Sequence, residues 1–288
     1  MVNASDESPG DDPYADLEAP RRRDLRSEFR AVNELVRLAS SGKRLLREVD
    51  KGNHELVVVY PGFGVGDSAT ALLRSYLTNR GFSTRGWRLG RNHGNVEKLL
   101  PQVIERLEYE IRFHRTPGST EVPETTTKTK AHLVGWSLGG YLAREVARDR
   151  PDLVEQVITF GTPVVGGPKY TISASTYRER GDDVDAIAEL VDERNELPLT
   201  VPVTAIFSKS DGVVNWRACI DHLNDGVEHI EIDGPHAGMT INPDIFELVA
   251  DRISGYNASQ DDHAEESHAE ESQAEESHAE ESHAEEEE

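Results

Sequence analysis

A serine flanked by glycines is the residue of this sequence best suited to covalent chemistry. It lies in Gly135-Trp136-Ser137-Leu138-Gly139, between the strand-like run AHLVG and the helix-like run LGGYLAREVAR. The pattern G-x-S-x-G in a strand–turn–helix setting predicts a nucleophilic serine on a strained turn that admits only small residues two positions away. The N–H group of Leu138, at the start of the helix, would point toward negative charge developing on a substrate oxygen. The alternative is an incidental serine in a glycine-containing loop.

A nucleophilic serine needs a base and an acid that orients the base, and in this setting they follow the serine in the order acid, then histidine. Asp211 follows the strand-like segment Val201–Phe207, and His236 follows Val227–Ile232. Both would lie beyond the carboxyl ends of strands, where open parallel sheets assemble their sites. The order predicts that His236 takes the proton of Ser137 and that Asp211 holds the imidazole in the required tautomer.

The alternatives for these two positions are an aspartate that caps a turn and a surface histidine. Other candidates fit the pattern less well: His222 and His229 lie away from strand ends, His93 precedes the serine, and Asp221 and Asp233 have the pattern of ordinary loop acids. The joint placement of Asp211 and His236 after the serine favours the triad.

A second donor for the oxyanion is expected in the loop after the first core strand. That loop is Pro61-Gly62-Phe63-Gly64, and the N–H of Phe63 is the candidate. The same glycines do not complete a dinucleotide-binding G-x-G-x-x-G, because Asp67 stands where the third glycine would be. The sequence contains neither a phosphate-binding G-x-x-x-x-G-K-[ST] nor a zinc-binding H-E-x-x-H, so we expect no cofactor and no metal.

The elements that must position these residues alternate between strands and helices. Strand-like segments occur at Glu55–Tyr60, Phe82–Leu89, Ala131–Trp136, Leu153–Phe160, Val201–Phe207 and Val227–Ile232. Helical patterns separate most of them, over Asp67–Arg80, Val96–His114, Leu138–Arg148 and Pro243–Ser254, the last with Asn242 as its N-cap. This alternation predicts an α/β domain over residues 51–257, with a doubly wound, mostly parallel sheet of about six strands.

Two segments fall outside the alternation. Residues 21–50 are predicted to form an amphipathic helix with a break at Ser40-Ser41-Gly42. Residues 166–199 are predicted to form a small cap that contains the acidic helical piece Asp183–Asn195. Tyr170, Ile172 and Tyr177 in the cap either line an acyl pocket or pack the cap onto the domain, and the sequence favours neither.

The charge is strongly acidic and uneven. The chain of 288 residues has 54 acidic and 31 basic residues, a formal charge of −23, which excludes the basic face that nucleic-acid binding requires. Residues 261–288 hold 14 of the acids in a His-Ala-Glu-Glu-Ser repeat, which leaves −9 for residues 1–260. We interpret residues 1–20 and 258–288 as disordered and solvated.

The composition also bears on where the protein works. With 24 Arg and 7 Lys, the acidic chain is typical of proteins from salt-accumulating organisms. The single cysteine, Cys219, excludes an intramolecular disulfide. No apolar run approaches the roughly 20 residues of a membrane span, and the N-terminus lacks a signal peptide's apolar region, so a cytoplasmic location is expected.

Four blocks resemble α/β-hydrolases, and more narrowly the lipase/esterase-type members whose nucleophile motif reads GWSLGG. They are Val57–Gly64, Gly86–Gly94, His132–Gly140, and Ala205–Cys219 with His236–Ile253. The resemblance implies Ser137 as nucleophile, Asp211 as acid, His236 as base, and Phe63 and Leu138 as oxyanion donors. Two features depart from the family: its two leading strands are replaced by residues 21–50, and its usual His-Gly before the oxyanion residue is Pro61-Gly62.

The resemblance implies a carboxylic ester hydrolase that works through an acyl-serine intermediate, needs no cofactor and acts on a small-molecule ester. The alternatives are another acyl-serine enzyme (a thioesterase, acyltransferase, amidase or polyester depolymerase) and a non-catalytic binding protein of this fold. A serine at position 137 argues against dehalogenase and epoxide hydrolase chemistry, which in this superfamily uses an aspartate there.

Removal of residues 261–288 is expected to leave ester hydrolysis and the thermal midpoint in high salt nearly unchanged, because the segment holds no predicted element or site residue. Solubility at low salt should fall, since charge repulsion acts over about 30 Å at 0.01 M salt but only about 3 Å at 1 M. Activity, melting and light scattering of the full chain and of residues 1–260 across a salt series check this. Loss of activity in a soluble truncated protein would contradict it.

Overall fold

Six strands form one open sheet in which every neighbouring pair is parallel. The computed structural model describes residues 13–14, 16–21, 24–45, 52–114 and 129–256. Within these residues the strands are β1 (Leu56–Tyr60), β2 (Ser83–Gly86), β3 (Ala131–Trp136), β4 (Val154–Phe160), β5 (Val203–Phe207) and β6 (Val227–Glu231). Their order across the sheet is β2-β1-β3-β4-β5-β6. The predicted doubly wound sheet is confirmed, and it is parallel throughout.

Helices cover both faces of the sheet, which explains the continuous apolar runs of its strands. They are α3 (Ala71–Asn79), α4 (Val96–Arg112), α5 (Leu138–Asp149) and α8 (residues 243–256), after the N-terminal helices α1 (Ala31–Ser40) and α2 (Gly42–Leu45). On β1, Leu56 and Val58 face the layer of α4 and α5, whereas Val57 and Val59 face α3 and α8. Alternate side chains of one strand therefore enter two separate cores.

The start of α8 follows the sequence prediction. The Asn242 side chain accepts a hydrogen bond from the N–H of Asp244 at 2.9 Å, as an N-cap does. The second strand is shorter than the predicted Phe82–Leu89. The Asp67 carboxylate accepts the N–H groups of Trp87 and Arg88 at 3.0 and 3.2 Å, and these bonds turn the chain out of the sheet after Gly86.

The N-terminal segment forms the predicted helix in two parts, after a 3-10 helix at Asp24–Arg30. The break falls at Ser41, between α1 and α2, and residues 46–50 lie outside the described residues. Leu38 and Leu45 pack on the core face that α3 and α8 cover. Among the described residues before β1 there is no strand, in line with the prediction that residues 21–50 replace the two leading strands of the family.

The first 20 residues are predicted to be disordered, and the described part of that segment instead packs on the domain. The Tyr14 hydroxyl donates to the carbonyl of Ile220 at 2.8 Å, and Leu17 packs against Val164 and Val165. Tyr14 and Leu17 bury apolar surface here, although the acidic composition of the segment favours disorder.

The connections after β1 and β3 leave the sheet at its topological switch point. The chain crosses from β1 to β2 on one side and then returns to β3 on the other side of β1. A crevice therefore opens at the carboxyl ends of β1 and β3. The inserted cap, α6 (Ala174–Glu179) and α7 (Val184–Asn195), follows the end of β4 at the same edge of the sheet.

Candidate active site

Ser137 occupies a strained turn between β3 and α5. Its backbone has φ +55° and ψ −126°, outside the conformations that a non-glycine residue ordinarily adopts. The Ser137 N–H donates to the carbonyl of Phe160 at 2.9 Å, which ties the turn to the end of β4. Gly139 must be small, since a Cβ there would lie 2.3 Å from the carbonyl oxygen of Tyr60. The turn is therefore strained at Ser137 and closely packed at Gly139.

Asp211 and His236 form a buried hydrogen-bonded pair. The imidazole Nδ1 lies 2.6 Å from Oδ2 of Asp211, and the two side chains are 6% and 1% exposed. The other carboxylate oxygen accepts the N–H groups of Val213 and Val214 at 2.8 and 2.7 Å. Because an ionised carboxylate only accepts, Nδ1 must be the donor, which leaves Nε2 of the neutral ring as the proton acceptor.

The surroundings of His236 have opposing effects on its basicity. Burial favours the neutral ring and acts to lower the pKa, whereas the charge and hydrogen bond of Asp211 and the charge of Glu28 act to raise it. The net result is a pKa of His236 above its ordinary value. The arrangement thus stabilises the imidazolium ion that forms when the ring takes a proton.

Phe160 and Gly161, at the end of β4, bring the serine turn and the histidine together. Gly161 has φ +58°, and a Cβ there would lie 3.0 Å from Nδ1 of His236. The Trp136 ring, next to the serine, has its centroid 5.2 Å from that of the imidazole. Among the described residues the His236 ring is hydrogen-bonded to Asp211, and no hydrogen bond joins it to the Ser137 hydroxyl.

The predicted oxyanion donors lie at the ends of β1 and β3. The loop after β1 packs on the serine turn, since a Cβ on Gly62 would lie 3.3 Å from Cβ of Ser137. Among the described residues neither the Phe63 N–H nor the Leu138 N–H has a protein acceptor. Two N–H groups therefore remain available beside the serine.

The rival acids and histidines have other partners. Asp221 is buried against Arg144, an ion pair with both side chains at most 1% exposed, and its N–H donates to Nε2 of His229 at 2.9 Å. Asp233 is exposed and binds Arg30 at 3.0 Å. His222 lies beside Tyr14, and the His93 carbonyl accepts a bond from Arg180. None of these contacts involves the Asp211–His236 pair.

Comparisons with known proteins concern the fold. No protein-family model and no curated protein matches the sequence. Est1E from Butyrivibrio proteoclasticus is similar in structure, with a TM-score of 0.52 at 14% identity, over 74% of this chain and 91% of that one. A structure of LipS and LipT, two metagenome-derived lipolytic enzymes, has a TM-score of 0.51 at 13% identity, over 72% of this chain and 94% of that one. The protein has the α/β-hydrolase fold.

An elongated cavity of about 1000 Å³ leads from Ser137 into this α/β-hydrolase fold, between the sheet domain and the cap. It follows α5 from Leu138 to Asp149, a length of about 16 Å at a rise of about 1.5 Å per residue. Its middle is largely apolar, lined by Leu100, Ile104, Tyr141, Ile187 and Leu190. Arg194 on α7 binds Glu145 and Asp149 on α5, which fixes the cap over the cavity.

The three cap residues that the sequence left open have different roles. Tyr177 lines the cavity and stacks on Phe63, with ring centroids 5.0 Å apart. Tyr170 packs with Val164 and Val165 at the base of the cap. The Ile172 N–H donates to the carbonyl of Val213 at 2.9 Å and so ties the cap to the loop that carries Asp211.

Two residues that contact the site, Asn92 and Glu28, are not indicated by the sequence analysis. Asn92 is fully buried, donates to the Pro61 carbonyl at 2.9 Å and accepts the N–H of Gly94, so it holds the loop after β1. Glu28, from the N-terminal segment, accepts the N–H of His236 at 2.9 Å. Both roles depend on contacts between distant parts of the chain, which spacing along the sequence does not reveal.

Two further observations concern metal binding and membrane-spanning helices. Among the residues that the structure describes, no group of three or more His, Cys, Asp or Glu side chains is placed to hold a metal ion. No helix in the same part of the chain is both long and apolar enough to span a membrane.

Replacement of Asp211 by Asn is expected to lower the pKa of His236, because the charge and the hydrogen bond that raise it are both lost. Two-dimensional NMR of ¹⁵N-histidine-labelled protein across a pH series measures this, with His236→Ala to assign the resonance. Asp233→Asn removes a nearby exposed carboxylate and is the matched control, with little change expected. An unchanged titration in Asp211→Asn would contradict the pairing.

Proposed function

We propose that the protein is a serine hydrolase that cleaves carboxylic esters through an acyl-serine intermediate. The observation that carries the proposal is the buried Asp211–His236 pair beside the strained turn of Ser137, at the end of an apolar cavity. A binding protein needs the cavity but has no need for the strained serine, the oriented base and the free N–H groups. The lipolytic names of structurally similar proteins agree with this choice.

The proposed reaction starts with attack of Ser137 Oγ on the ester carbonyl, while Nε2 of His236 takes the hydroxyl proton. The N–H groups of Leu138 and Phe63 stabilise the tetrahedral oxyanion. Asp211 stays ionised and stabilises the imidazolium. His236 then gives the proton to the leaving alcohol, and the acyl group remains on the serine.

The second half of the proposed reaction releases the acid. His236 removes a proton from a water molecule, the resulting hydroxide attacks the acyl-serine, and collapse of the second tetrahedral intermediate returns the proton to Ser137. The atoms balance without a cofactor. Another acceptor in place of water would make the same site a transferase, and a thioester or amide would enter by the same steps.

The shape of the cavity supports esters with an extended apolar acyl chain. Side chains of α4, α5 and α7 surround its middle, and Asp149, the last residue of α5, lines the end away from the serine. Each buried methylene group contributes about 0.8 kcal/mol, or about fourfold in kcat/KM, until the chain fills the space. Polar acyl groups would lose hydrogen bonds to water on entering it.

Replacement of Ser137 by Ala is expected to abolish ester hydrolysis while the protein stays folded. Loss of a triad member typically costs about 10⁴-fold or more in kcat, since the nucleophile, base and acid act as a unit. Turnover of p-nitrophenyl esters in molar salt, labelling by a fluorophosphonate probe and circular dichroism check this. A folded Ser137→Ala protein with parental turnover would place the reaction elsewhere, and an unlabelled parent would favour a binding protein.

Replacement of Ile104 by Trp is expected to shift the preference toward short acyl chains, because the larger side chain fills the middle of the cavity. For p-nitrophenyl octanoate, kcat/KM should fall by about tenfold to hundredfold, the equivalent of two or three methylene groups, with acetate nearly unaffected. Leu197→Trp, half exposed on the loop after α7 and outside the cavity lining, is the control. Equal losses for both esters would show that the acyl chain does not lie along α4.

A further inference from the structure

Glu28 connects the two loops that carry the acid and the base. Its Oε1 accepts the N–H of Gly212 at 3.1 Å and the N–H of His236 at 2.9 Å, and its Oε2 accepts the N–H of Ala237 at 2.8 Å. Gly212 directly follows Asp211, and Ala237 directly follows His236. One carboxylate thus contacts the backbone of both loops at the residues where the Asp211 and His236 side chains emerge.

The connection runs between parts of the chain that are far apart in sequence. Glu28 lies in the 3-10 helix Asp24–Arg30, about 180 residues before the acid loop and more than 200 before the base loop. Hydrogen bonds from backbone N–H groups to an ionised carboxylate are about twice as strong as those between neutral groups. Three of them on one side chain therefore restrain the distance between the loops.

The segment that carries Glu28 is itself held in place. Arg30 binds Asp233 at 3.0 Å on the base loop, and Arg37 binds Asp244 at 2.5 Å at the start of α8. Leu38 packs on the core between these contacts. Glu28 is therefore attached to a fixed support and does not simply follow the loops.

We propose that Glu28 is a positioning residue that holds Asp211 and His236 in the geometry needed for proton transfer. The inference rests on the proposed function and adds a role for the N-terminal segment in it. Glu28 bonds to the backbone of His236 and does not bond to its ring, so it acts on the reaction through the acid–base pair.

A second consequence concerns the charge around the imidazole. Charged or titratable groups lie on each of the elements around His236. The acid loop carries Asp211, and the base loop carries Asp233. The N-terminal segment carries Glu28, Arg30, which binds Asp233, and the Glu34–Arg37 pair, and Cys219 follows β5. Burial raises the pKa of the Cys219 thiol, so it stays neutral. Asp211 and Glu28 are the two whose charges raise the pKa of His236.

The test compares three variants of the full chain. Glu28→Gln keeps the shape of the side chain but removes the charge and leaves an NH₂ group facing an N–H group. Glu28→Ala removes all three bonds. Asp225→Asn removes an exposed carboxylate from the turn before β6 and is the control.

For Glu28→Gln and Glu28→Ala, kcat for p-nitrophenyl esters is expected to fall by about tenfold to hundredfold, because displacement of a catalytic group by about 1 Å can cost that much. KM should change little, since Glu28 does not line the acyl cavity. The acid limb of the pH–rate profile should move to lower pH, because loss of the Glu28 charge lowers the pKa of the base. Asp225→Asn should keep parental kcat and an unshifted limb.

Titration of His236 by NMR and thermal melting measure the effect of the Glu28 substitutions without relying on turnover. Should Glu28→Ala not fold, the isosteric Glu28→Gln decides. Parental kcat and an unshifted His236 titration in folded Glu28→Gln would overturn the proposal, as would equal shifts in Asp225→Asn. An unlabelled, inactive parental protein would reject the proposed function instead, and the NMR titration would still show whether Glu28 acts on His236.

Discussion

The close approach of the first turn of α5 to the end of β1 is the constraint on which the site depends. At Gly139 the helix lies so near the Tyr60 carbonyl that even a methyl group would overlap it. Two residues before Gly139, Ser137 has a positive φ. The same contact places the N–H of Leu138, next to Gly139, near the end of β1 and the loop that carries Phe63. The proposed nucleophile and the two proposed oxyanion donors thus lie around one packing contact between backbones.

The proposed acid and base are positioned differently, by hydrogen bonds within and between loops. Asp211 and His236 follow β5 and β6, and their loops are held by hydrogen bonds to Val213, Val214 and, from the other end of the chain, Glu28. A buried carboxylate needs hydrogen-bond donors, and Asp211 has them in Val213, Val214 and His236. The serine turn is consequently held by close packing, whereas the Asp211–His236 pair is held by charge-assisted hydrogen bonds.

The strongly acidic composition of the chain does not extend to its core. The two layers of apolar side chains on either side of the sheet contain few charges, and the fully buried ones are paired, as Arg144 is with Asp221 and Glu145 is with Arg148. Ion pairs of this kind cost desolvation and are retained only with good partners. Asp221 illustrates why an aspartate near the predicted acid is not interchangeable with it, since its carboxylate neutralises a buried arginine.

The sequence by itself determined the order of strands and helices, the serine turn and the acid and histidine loops. These features are local: a buried strand reads as an apolar run, a strained turn needs small neighbours, and the ends of strands follow from their lengths. Tertiary structure alone decided that the Asp67 bonds shorten β2 and that Tyr177, not Tyr170, lines the cavity. It also decided which groups Asn92 and Glu28 contact, because their partners are backbone groups, which are the same at every residue and leave no pattern in the sequence.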